Sequence, residues 1–339
     1  MTKLSAVVVT YNSAEAVGRS LPALLGELSP SDEVIVVDNA SADGTADAVS
    51  ALVPVATVIR NDANTGFAAA ANRGADAASG DVLVFLNPDA VVHPGFREAI
   101  VRPLADGRGW AAWQGLVTMD GGALVNSSGG VIHFAGVSWA GQAGAPLGDA
   151  PSKPSEVAFA SGACLAVPAG RWREQGGFSP DFFMYCEDAD LSLRMRLAGG
   201  KVGIEPDARV DHDYEFAKGA SKWRHLERNR WALVLRTYPT LLLLLVAPAL
   251  AVTEVTLWAV ALAGGWWRQK LLATLDVIRA LPRLRRERRE IQAARRVSAS
   301  EFAAFLTPEL SSTYLGSLAR NRVLGAALRA YWALVRALL

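Results

Sequence analysis

Residues 4–45 read LSAVVVTYNSAEAVGRSLPALLGELSPSDEVIVVDNASADGT, and this stretch decides the fold of the N-terminal part of the chain. A short apolar run rich in valine (residues 4–10) precedes a polar turn, a helix-length segment (14–28) and a second apolar run (33–37). Continuous apolar runs of this length are typical of strands buried on both faces, and a polar turn after a strand is typical of a helix start. The stretch therefore predicts a strand–helix–strand unit.

The same alternation continues downstream. Strand-like runs lie near residues 55–60 and at 81–86, and an alanine-rich helix follows residues 64–66. Buried strands that alternate with helices predict an α/β fold of the Rossmann-like type, in which helices flank a mostly parallel sheet. Ligands of such sheets bind beyond the carboxyl ends of the strands. The polar residues at those predicted ends are Tyr11, Asn12, Asp38, Asn39, Asn87 and Asp89.

Composition limits the class of protein. The chain has 339 residues, of which 51% are hydrophobic, and its formal net charge of +1 gives no overall field that would attract nucleic acid. Its two cysteines, Cys164 and Cys186, are too few for a disulfide scaffold and show no metal-ligand spacing. The N-terminus begins with a strand-like run instead of a secretory signal, so we expect the catalytic part to be cytoplasmic.

The C-terminal third has a different character. Residues 240–267 are almost wholly apolar and long enough to cross a bilayer, but Pro248 and Glu254 interrupt them, and basic residues flank both ends. This pattern favours a helical hairpin or re-entrant pair in one leaflet, while a single span and a buried soluble helix pair remain open. The arginine-rich segment 279–296 then lies against anionic headgroups, or is a solvated helix face.

Three polar clusters follow the predicted strands, and each has a plain structural alternative. Asp38 can accept hydrogen bonds from a ribose or a base, or can simply be a helix cap or a turn residue. Residues 64–74 begin a helix whose free N–H groups suit an anion, or form an ordinary capped helix. Asp89, in Asn87-Pro88-Asp89, can hold a divalent cation, although the same tripeptide is common in turns.

Two further clusters carry acids and a histidine. Residues 187–190 place three acids at a helix start, where carboxylates are favourable in any case. One of them could act as a general base that takes the proton from an acceptor hydroxyl. His212 lies between Asp211 and Asp213, where a neutral imidazole could complete a metal site or could be an ordinary surface residue.

These clusters, in this order, resemble family 2 glycosyltransferases with the GT-A fold. The likeness is strongest to the rhamnosyltransferase-like branch that builds bacterial surface polysaccharides. The matching segments are VVVTYNS (7–13), VIVVDNASADGT (34–45), NTGFAAAANRG (64–74), DVLVFLNPDA (81–90), GGFSPDFFMYCEDADLSLR (176–194) and DHD (211–213). The resemblance covers about residues 1–235, which predicts a GT-A domain there and a helical, membrane-associated region over residues 236–339.

The resemblance implies a role for each matching residue. Asp188 corresponds to the catalytic base of the family's acidic pair, with Glu187 as its neighbour, and Asp89 and His212 correspond to ligands of Mg²⁺ or Mn²⁺. The residues implied in donor binding are Thr10, Tyr11, Asn12, Asp38, Asn64, Asn72, Arg73, Asn87, Ser161 and Gly162. Arg194 and the group at residues 228–230 could meet phosphate. Asn87 replaces the first acid of the family's Asp-x-Asp element, which leaves one carboxylate for the metal.

The expected function is therefore inverting transfer of a sugar from a nucleotide diphosphate to an acceptor hydroxyl. We expect the acceptor to be a lipid-linked glycan and the protein to lie at the cytoplasmic face of the cell membrane. The resemblance to the rhamnosyltransferase-like branch makes rhamnose one candidate sugar. The alternative is an inactive membrane scaffold of a polysaccharide assembly complex. A dehydrogenase or P-loop enzyme is disfavoured because neither glycine motif occurs, and a sugar nucleotidyltransferase because no basic, glycine-rich loop follows the first strand.

Overall fold

The computed structural model describes residues 2–213, 219, 221–311 and 321–339. Two compact units can be distinguished. Unit 1 comprises Met1–Gly130, Ala140–Met195 and Gly200–Tyr214, and unit 2 comprises Val131–Trp139, Arg196–Gly199 and Glu215–Leu339. The division into a catalytic domain over residues 1–235 and a membrane-associated region over residues 236–339 stays a prediction.

The elements are numbered in chain order. The strands are β1 (Leu4–Thr10), β2 (Glu33–Asp38), β3 (Thr57–Arg60), β4 (Val82–Leu86), β5 (Val91–Val92), β6 (Trp110–Met119), β7 (Leu124–Ser127), β8 (Gly130–His133), β9 (Ser138–Ala140), β10 (Ser155–Glu156), β11 (Cys164–Pro168), β12 (Lys201–Asp211) and β13 (Leu306–Thr307). The helices are α1 (Ala14–Glu27), α2 (Thr45–Leu52), α3 (Phe67–Asp76), α4 (Phe96–Ala105), α5 (Ala169–Gln175), α6 (Glu187–Leu197), α7 (Ser221–Thr237), α8 (Thr240–Ala263), α9 (Trp267–Ala293), α10 (Ala299–Ala303) and α11 (Arg322–Leu338).

The main sheet of unit 1 has the strand order β10-β12-β6-β11-β4-β1-β2-β3. Strand β1 pairs in parallel with β2 and β4, and β2 with β3, as the alternation predicted. All seven residues of β1 are buried, because apolar clusters cover both faces of the sheet: Val8 belongs to one and Val7 to the other. The α/β class is confirmed, while the antiparallel strand β11, between β4 and β6, makes the whole sheet mixed.

Strand β6 is not among the strands that the apolar pattern predicts. It is ten residues long, lies inside the main sheet and pairs in parallel with β12. Its sequence, WAAWQGLVTM, places Gln114 and Gly115 in the middle of the apolar run, so no uninterrupted strand pattern is visible. Strand β12 spans Lys201–Asp211, and its length brings Asp211 and His212 to the edge that carries the candidate site.

A buried ion pair lies at the amino end of β2. The Arg97 Nε donates to Asp32 Oδ2 at 2.9 Å, and the exposed fractions of the two side chains are 10% and 0%. The backbone N–H groups of Leu4 and Ser29 also donate to the Asp32 carboxylate, each at 2.8 Å. Burial opposes ionisation of Asp32, but the Arg97 guanidinium and these amides together hold its pKa below the usual value.

Replacement of Arg97 by Met is expected to lower the free energy of unfolding by about 3 kcal/mol, because it leaves the buried Asp32 carboxylate without its counter-ion. The lowered pKa means that this contribution is present above the unfolded-state pKa and is lost as the pH falls through the folded-state value. Urea unfolding followed by circular dichroism measures it. The matched control is Arg60→Met, which removes an exposed pair with Asp47 and should change the stability by at most about 1 kcal/mol. Equal losses in the two variants would contradict the prediction.

Unit 2 is built mainly from helices. Within the described residues, α8 is the one helix long and apolar enough to cross a membrane by length and composition, with 24 residues and a mean hydropathy of 2.1. It continues through Pro248 as a single helix and ends at Ala263, so the hairpin predicted within residues 240–267 is wrong. A small three-stranded sheet, β13-β8-β9, lies beside these helices in the same unit, with Leu306 paired in parallel to Ile132.

Candidate active site

The carboxyl ends of β1 and β2 are joined by direct hydrogen bonds. The hydroxyl of Thr10 donates to Asp38 Oδ1 at 3.1 Å, and the backbone N–H of Asn39 donates to the Thr10 carbonyl at 2.8 Å. The second carboxylate oxygen of Asp38 accepts from the backbone of Ser41 at 3.2 Å. Asp38 is thus buried and stabilises the turn after β2, the plain alternative from the sequence, while its predicted contact with the nucleoside stays a prediction.

The loop after β1 presents an exposed aromatic ring. Asn12 holds this loop against the next one: its backbone N–H donates to Ser41 Oγ at 2.9 Å, and its side-chain oxygen accepts from Ala42 at 2.8 Å. Tyr11, directly beyond the buried strand, is 51% exposed. Exposed aromatic rings are surfaces on which nucleobases stack, so the geometry suits the predicted role of Tyr11.

Asn39 organises the loops after β2 and β3. This nearly buried side chain accepts hydrogen bonds on Oδ1 from Asn61 Nδ2 at 2.8 Å and from both the backbone and the hydroxyl of Thr65, at 3.0 and 3.1 Å. Its own amide donates to Asn64 Oδ1 at 2.9 Å. Asn39 lies at a predicted strand end but is not among the predicted donor-binding residues, and neither is Asn61. Both directly follow a strand, and that position is the signal that could have identified them.

The start of α3 is capped by the protein itself. The backbone N–H of Gly66 donates to Asn64 Oδ1 at 3.0 Å, and that of Ala68 donates to the Phe183 carbonyl at 3.1 Å. Only glycine fits at position 66, where φ is +83° and an added Cβ would lie 2.5 Å from the Phe183 ring. The expectation of free N–H groups for an anion is therefore wrong for residues 66 and 68, and a capped helix is the better interpretation.

Two further residues predicted in the donor pocket make structural contacts. Asn72 exchanges two hydrogen bonds with the backbone of Phe178, at 2.8 and 2.9 Å. Arg73 donates to the Arg60 carbonyl at 3.2 Å and to the side-chain oxygen of Asn61. These contacts tie α3 to the residues before α6 and to the end of β3, and the predicted participation of Asn72 and Arg73 in donor binding stays a prediction.

Asp188 lies in the first turn of α6, after a strained segment. Three non-glycine residues just before it, Phe183, Tyr185 and Cys186, have left-handed backbone angles between +62° and +68°. Such angles cost about 1–3 kcal/mol each and are concentrated at functional sites. The carboxylate accepts hydrogen bonds from the backbone of Gly162 at 2.9 Å and from that of Ala189 at 2.8 Å.

The segment 161–163 is itself positioned by a buried side chain. Gln114, on β6, accepts a hydrogen bond from the backbone of Ser161 at 2.8 Å and is fully buried. Its amide donates to the Gly115 carbonyl at 3.0 Å, so the glutamine cannot turn away without losing both contacts. Sequence analysis missed Gln114 because the strand that carries it was not recognised.

The acidic pair of α6 has unequal surroundings. Burial raises the pKa of Glu187 well above the usual range, and the charge of Asp188 raises it further. One carboxylate oxygen of Glu187, Oε2, is buried without a hydrogen-bond partner in the described part of the chain. Burial also raises the pKa of Asp188, but the hydrogen bonds from Gly162 and Ala189 oppose the shift. Burial and the neighbouring charge therefore favour the protonated form of Glu187, whereas hydrogen bonds stabilise the charged form of Asp188, so Asp188 is the member suited to act as a base.

Asn87, Asp89 and His212 meet at the carboxyl end of β4. The distance from His212 Nε2 is 3.1 Å to Asn87 Nδ2 and 3.2 Å to Asp89 Oδ1. Asn126 holds the His212 backbone by donating to its carbonyl at 2.8 Å. The backbone N–H of Asn87 reaches the Ala163 carbonyl at 3.3 Å. The contacts therefore run without a gap from Asp188, through residues 162–163 and 87, to His212 and Asp89.

A divalent cation fits this meeting point only in part. A carboxylate oxygen and an imidazole nitrogen 3.2 Å apart are suitable donors for Mn²⁺ or Mg²⁺. Among the residues that the structure describes, however, no cluster of three or more His, Cys, Asp or Glu side chains could hold a metal. Asp89 and His212 would thus provide two ligands, and the remaining positions would have to come from the donor and from water.

Two arginines expected to meet phosphate are used elsewhere. Arg194 donates to Asp190 at 2.8 Å and to the carbonyls of Gln175 and Gly177 at 2.6 and 2.7 Å, and is buried. Arg230 is likewise buried and lies in unit 2. The guanidinium of Arg194 ties α6 to the residues before it, and the predicted phosphate contacts of these arginines stay predictions.

Comparison with known proteins identifies sequence models that match the chain. The model described as glycosyl transferase family 2 matches residues 5–122, and that described as glycosyl transferase family group 2 matches residues 82–305. A similar curated protein is the N-acetylglucosaminyl-diphospho-decaprenol L-rhamnosyltransferase of Mycobacterium tuberculosis (strain H37Rv). The two chains are 29% identical over 248 residues, which cover 66% of this chain and 80% of that protein.

Solved structures with a similar fold include two complexes with UDP. S. aureus TarS 1–349 in complex with UDP has a TM-score of 0.56 at 15% identity, over 98% of this chain and 89% of that one. GalNAc-T7 with UDP, GalNAc and Mn²⁺ has a TM-score of 0.58 at 18% identity, over 71% of this chain and 49% of that one. At these identities the likeness shows the fold, which is of the GT-A type.

Proposed function

The chain belongs to the family 2 glycosyltransferases, and from this premise we propose that it transfers a sugar, with inversion, from a nucleoside diphosphate to a hydroxyl of a lipid-linked glycan. The observation that carries the proposal is the continuous line of contacts from Asp188 to Asp89 at the carboxyl edge of the sheet. It connects a candidate base with a candidate site for the diphosphate. A single displacement needs both, one to deprotonate the acceptor hydroxyl and the other to stabilise the departing diphosphate.

In the proposed reaction Asp188 takes the proton of the acceptor hydroxyl, and the oxygen forms a bond to the anomeric carbon as the bond to the diphosphate breaks. The hydrogen bonds from Gly162 and Ala189 hold the carboxylate in place. Glu187, in its protonated form, leaves Asp188 as the single negative charge of the pair. Inversion follows because the acceptor oxygen attacks the anomeric carbon from the face opposite the diphosphate in one displacement. No covalent intermediate on a second carboxylate is formed.

Donor binding is proposed at the ends of β1, β2 and β4. Tyr11 offers a surface for the base, while Thr10, Asn12, Asp38 and Asn64 shape the loops around it. Asp89 and His212 would hold a divalent cation, which supplies positive charge for the departing diphosphate when bound. The Mn²⁺ in the GalNAc-T7 structure supports this assignment.

The name of the relative from M. tuberculosis suggests which donor sugar and which acceptor this chain uses. Its name describes an L-rhamnosyltransferase that acts on N-acetylglucosaminyl-diphospho-decaprenol. We infer a rhamnosyl donor and a polyprenyl-diphosphate-linked acceptor for this chain, with the protein held at the cytoplasmic face of the cell membrane by the helical region over residues 236–339. The apolar helix α8 supports the membrane association.

Activity is expected to fall at acidic pH through the ionisation of Asp188. A general base must be unprotonated, and burial raises the pKa of Asp188. As the pH is lowered, turnover should therefore already fall at a pH above the ordinary aspartate pKa of about 3.9. Rates at saturating donor, measured against pH, test this. Donor affinity measured over the same range is the control, since a loss that follows donor binding would belong to the diphosphate site. A turnover that stays constant down to about pH 4 would contradict the prediction.

The direct test is an assay of membranes containing the protein with dTDP-rhamnose, UDP-hexoses and GDP-mannose, with a lipid extract as acceptor and with or without Mn²⁺. Released nucleoside diphosphate identifies the donor, and NMR of the product shows whether the anomeric configuration is inverted. Donor binding by calorimetry without turnover on any acceptor would favour the inactive scaffold. The absence of both donor binding and turnover, with every donor tested, would overturn the proposal.

A further inference from the structure

Glu254, in the middle of the apolar helix α8, is bound by two cations from neighbouring helices of unit 2. Its Oε2 accepts from Arg230 of α7 at 2.7 Å and from the Trp231 indole at 2.9 Å, and its Oε1 lies 2.7 Å from Lys270 of α9. Glu227 of α7 balances the second cation by contacting both Arg230 and Lys270. The Lys270 side chain is only 1% exposed, so this charged cluster lies inside the helical unit.

The cluster fixes which side of α8 faces the protein. Leu242, Val246 and Leu250 are buried, and Glu254 follows them at the same spacing of four residues. In an α-helix such positions lie on one face. This face is therefore covered by the protein, with Glu254 held by α7 and α9, and cannot also be covered by lipid.

The opposite face of α8 is apolar and exposed. Its large exposed side chains are Leu241, Leu244, Val252, Val255 and Leu262. Helix α11, whose Tyr331 hydroxyl donates to the Leu245 carbonyl at 2.5 Å, adds the exposed side chains of Val323, Leu334 and Leu338. Apolar surface that continues along a whole helix is uncommon on a soluble monomer and marks an interaction surface.

The charges of α9 indicate the occupant of this surface. The exposed arginines of this helix and of the residues just after it are Arg268, Arg279, Arg285, Arg286, Arg289, Arg295 and Arg296, against Glu290 as the exposed acid of the same stretch. A basic helix beside an apolar one is typical of segments that lie on anionic membranes, where the cations are attracted to the negative headgroups.

We propose that α8 and α11 lie in the plane of one leaflet of an anionic membrane, with the apolar face of α8 among the acyl chains, and that α8 does not cross the bilayer. A crossing helix would place Glu254 near mid-depth and would draw the charged helices α7 and α9 into the hydrocarbon with it, which is unfavourable. This inference deepens the proposed function by specifying how an enzyme with a lipid-linked acceptor is held at the membrane.

Flotation of the full-length protein with vesicles tests the docking surface. We expect it to float with vesicles of equal parts phosphatidylcholine and phosphatidylglycerol, and less with phosphatidylcholine alone. The triple variant Leu244→Asp, Val252→Asp, Val255→Asp should reduce the bound fraction at least about tenfold, because acids on the face would enter the acyl region. The matched control, Leu52→Asp with Val55→Asp, alters exposed apolar residues of unit 1 and should float like the wild type. Equal flotation of the triple variant and the control would overturn the proposal.

A second variant keeps the proposal testable if the triple aspartate variant does not fold. Arg285→Gln, Arg286→Gln and Arg289→Gln change exposed side chains only and should weaken binding to the phosphatidylglycerol vesicles but not to phosphatidylcholine alone. An equal change on both vesicles would contradict the assigned role of the arginines. Sedimentation without lipid tests whether a second copy of the chain covers the apolar face instead. If the wild type forms a dimer and the triple variant does not, the face belongs to that second copy and the proposal is overturned.

Labelling of the two ends of α8 separates an in-plane helix from a span. Single cysteines at Thr240 and Gly265, in a chain with Cys164 and Cys186 replaced by serine, are exposed to an impermeant maleimide in inverted membrane vesicles. Both should react before detergent is added, and protection of one end would show a span. Calorimetric donor binding by the triple variant should match that of the wild type. A wild type that floats but binds no donor would count against the proposed function and leave the docking surface intact.

Discussion

Replacement of Asp188 by Asn is expected to reduce turnover by about 10²–10⁴-fold and to leave donor binding nearly unchanged. The amide keeps the shape of the carboxylate, but its single oxygen can accept only one of the two hydrogen bonds from Gly162 and Ala189, and it cannot take the proton of the acceptor hydroxyl. The measurement is single-turnover release of nucleoside diphosphate with acceptor present, together with calorimetry of the donor.

Glu187→Gln is the matched control for this substitution. Because burial and the adjacent charge keep Glu187 protonated, the neutral isostere should preserve its state and lower turnover by less than about tenfold. The two variants thus separate the members of the acidic pair. A large loss in Glu187→Gln together with near-normal turnover in Asp188→Asn would exchange the two assignments and contradict the proposed mechanism.

The part of the site that could be predicted from sequence lies where strands are short, continuous and apolar. Strand β1 and the strand before Asp38 have this pattern, so their carboxyl ends, and the residues there, could be placed at one edge of the sheet. The meeting of Asp89 with His212 was predicted through the family resemblance, since 123 residues of chain separate them. The structure places them 3.2 Å apart.

The parts that could not be predicted depend on contacts distant in sequence. Gln114 is a buried polar residue within a strand, so it breaks the apolar pattern by which strands are recognised. The amide of Ala68 is satisfied by the Phe183 carbonyl, a partner that no local pattern at the start of α3 reveals. Glu254 looked like an interruption of a membrane segment, because its cationic partners come from other helices. In each case a polar group takes a partner that only tertiary structure supplies.

Replacement of Asp89 by Ala is expected to weaken donor and metal binding together, by at least about 100-fold for the donor in the presence of Mn²⁺. Even groups that only support a metal ligand contribute about 10–100-fold to metal affinity or activity, and Asp89 is the one carboxylate that contacts His212 in the described structure. Asn87, at the first position of the Asp-x-Asp element, offers a neutral amide in place of a second acid. The site therefore has no further charge at that position with which to compensate.

Calorimetry of the nucleoside diphosphate with and without Mn²⁺, and the spectrum of bound Mn²⁺ by electron paramagnetic resonance, measure the effect without relying on turnover. The matched control is Asp76→Ala, which removes an exposed carboxylate at the other end of α3 and should alter neither signal. His212→Ala should reproduce the loss, since both side chains are assigned to one cation. If Asp89→Ala keeps the Mn²⁺ dependence of donor binding while His212→Ala abolishes it, the carboxylate is not a ligand. The contact between the two side chains would then serve to orient the imidazole.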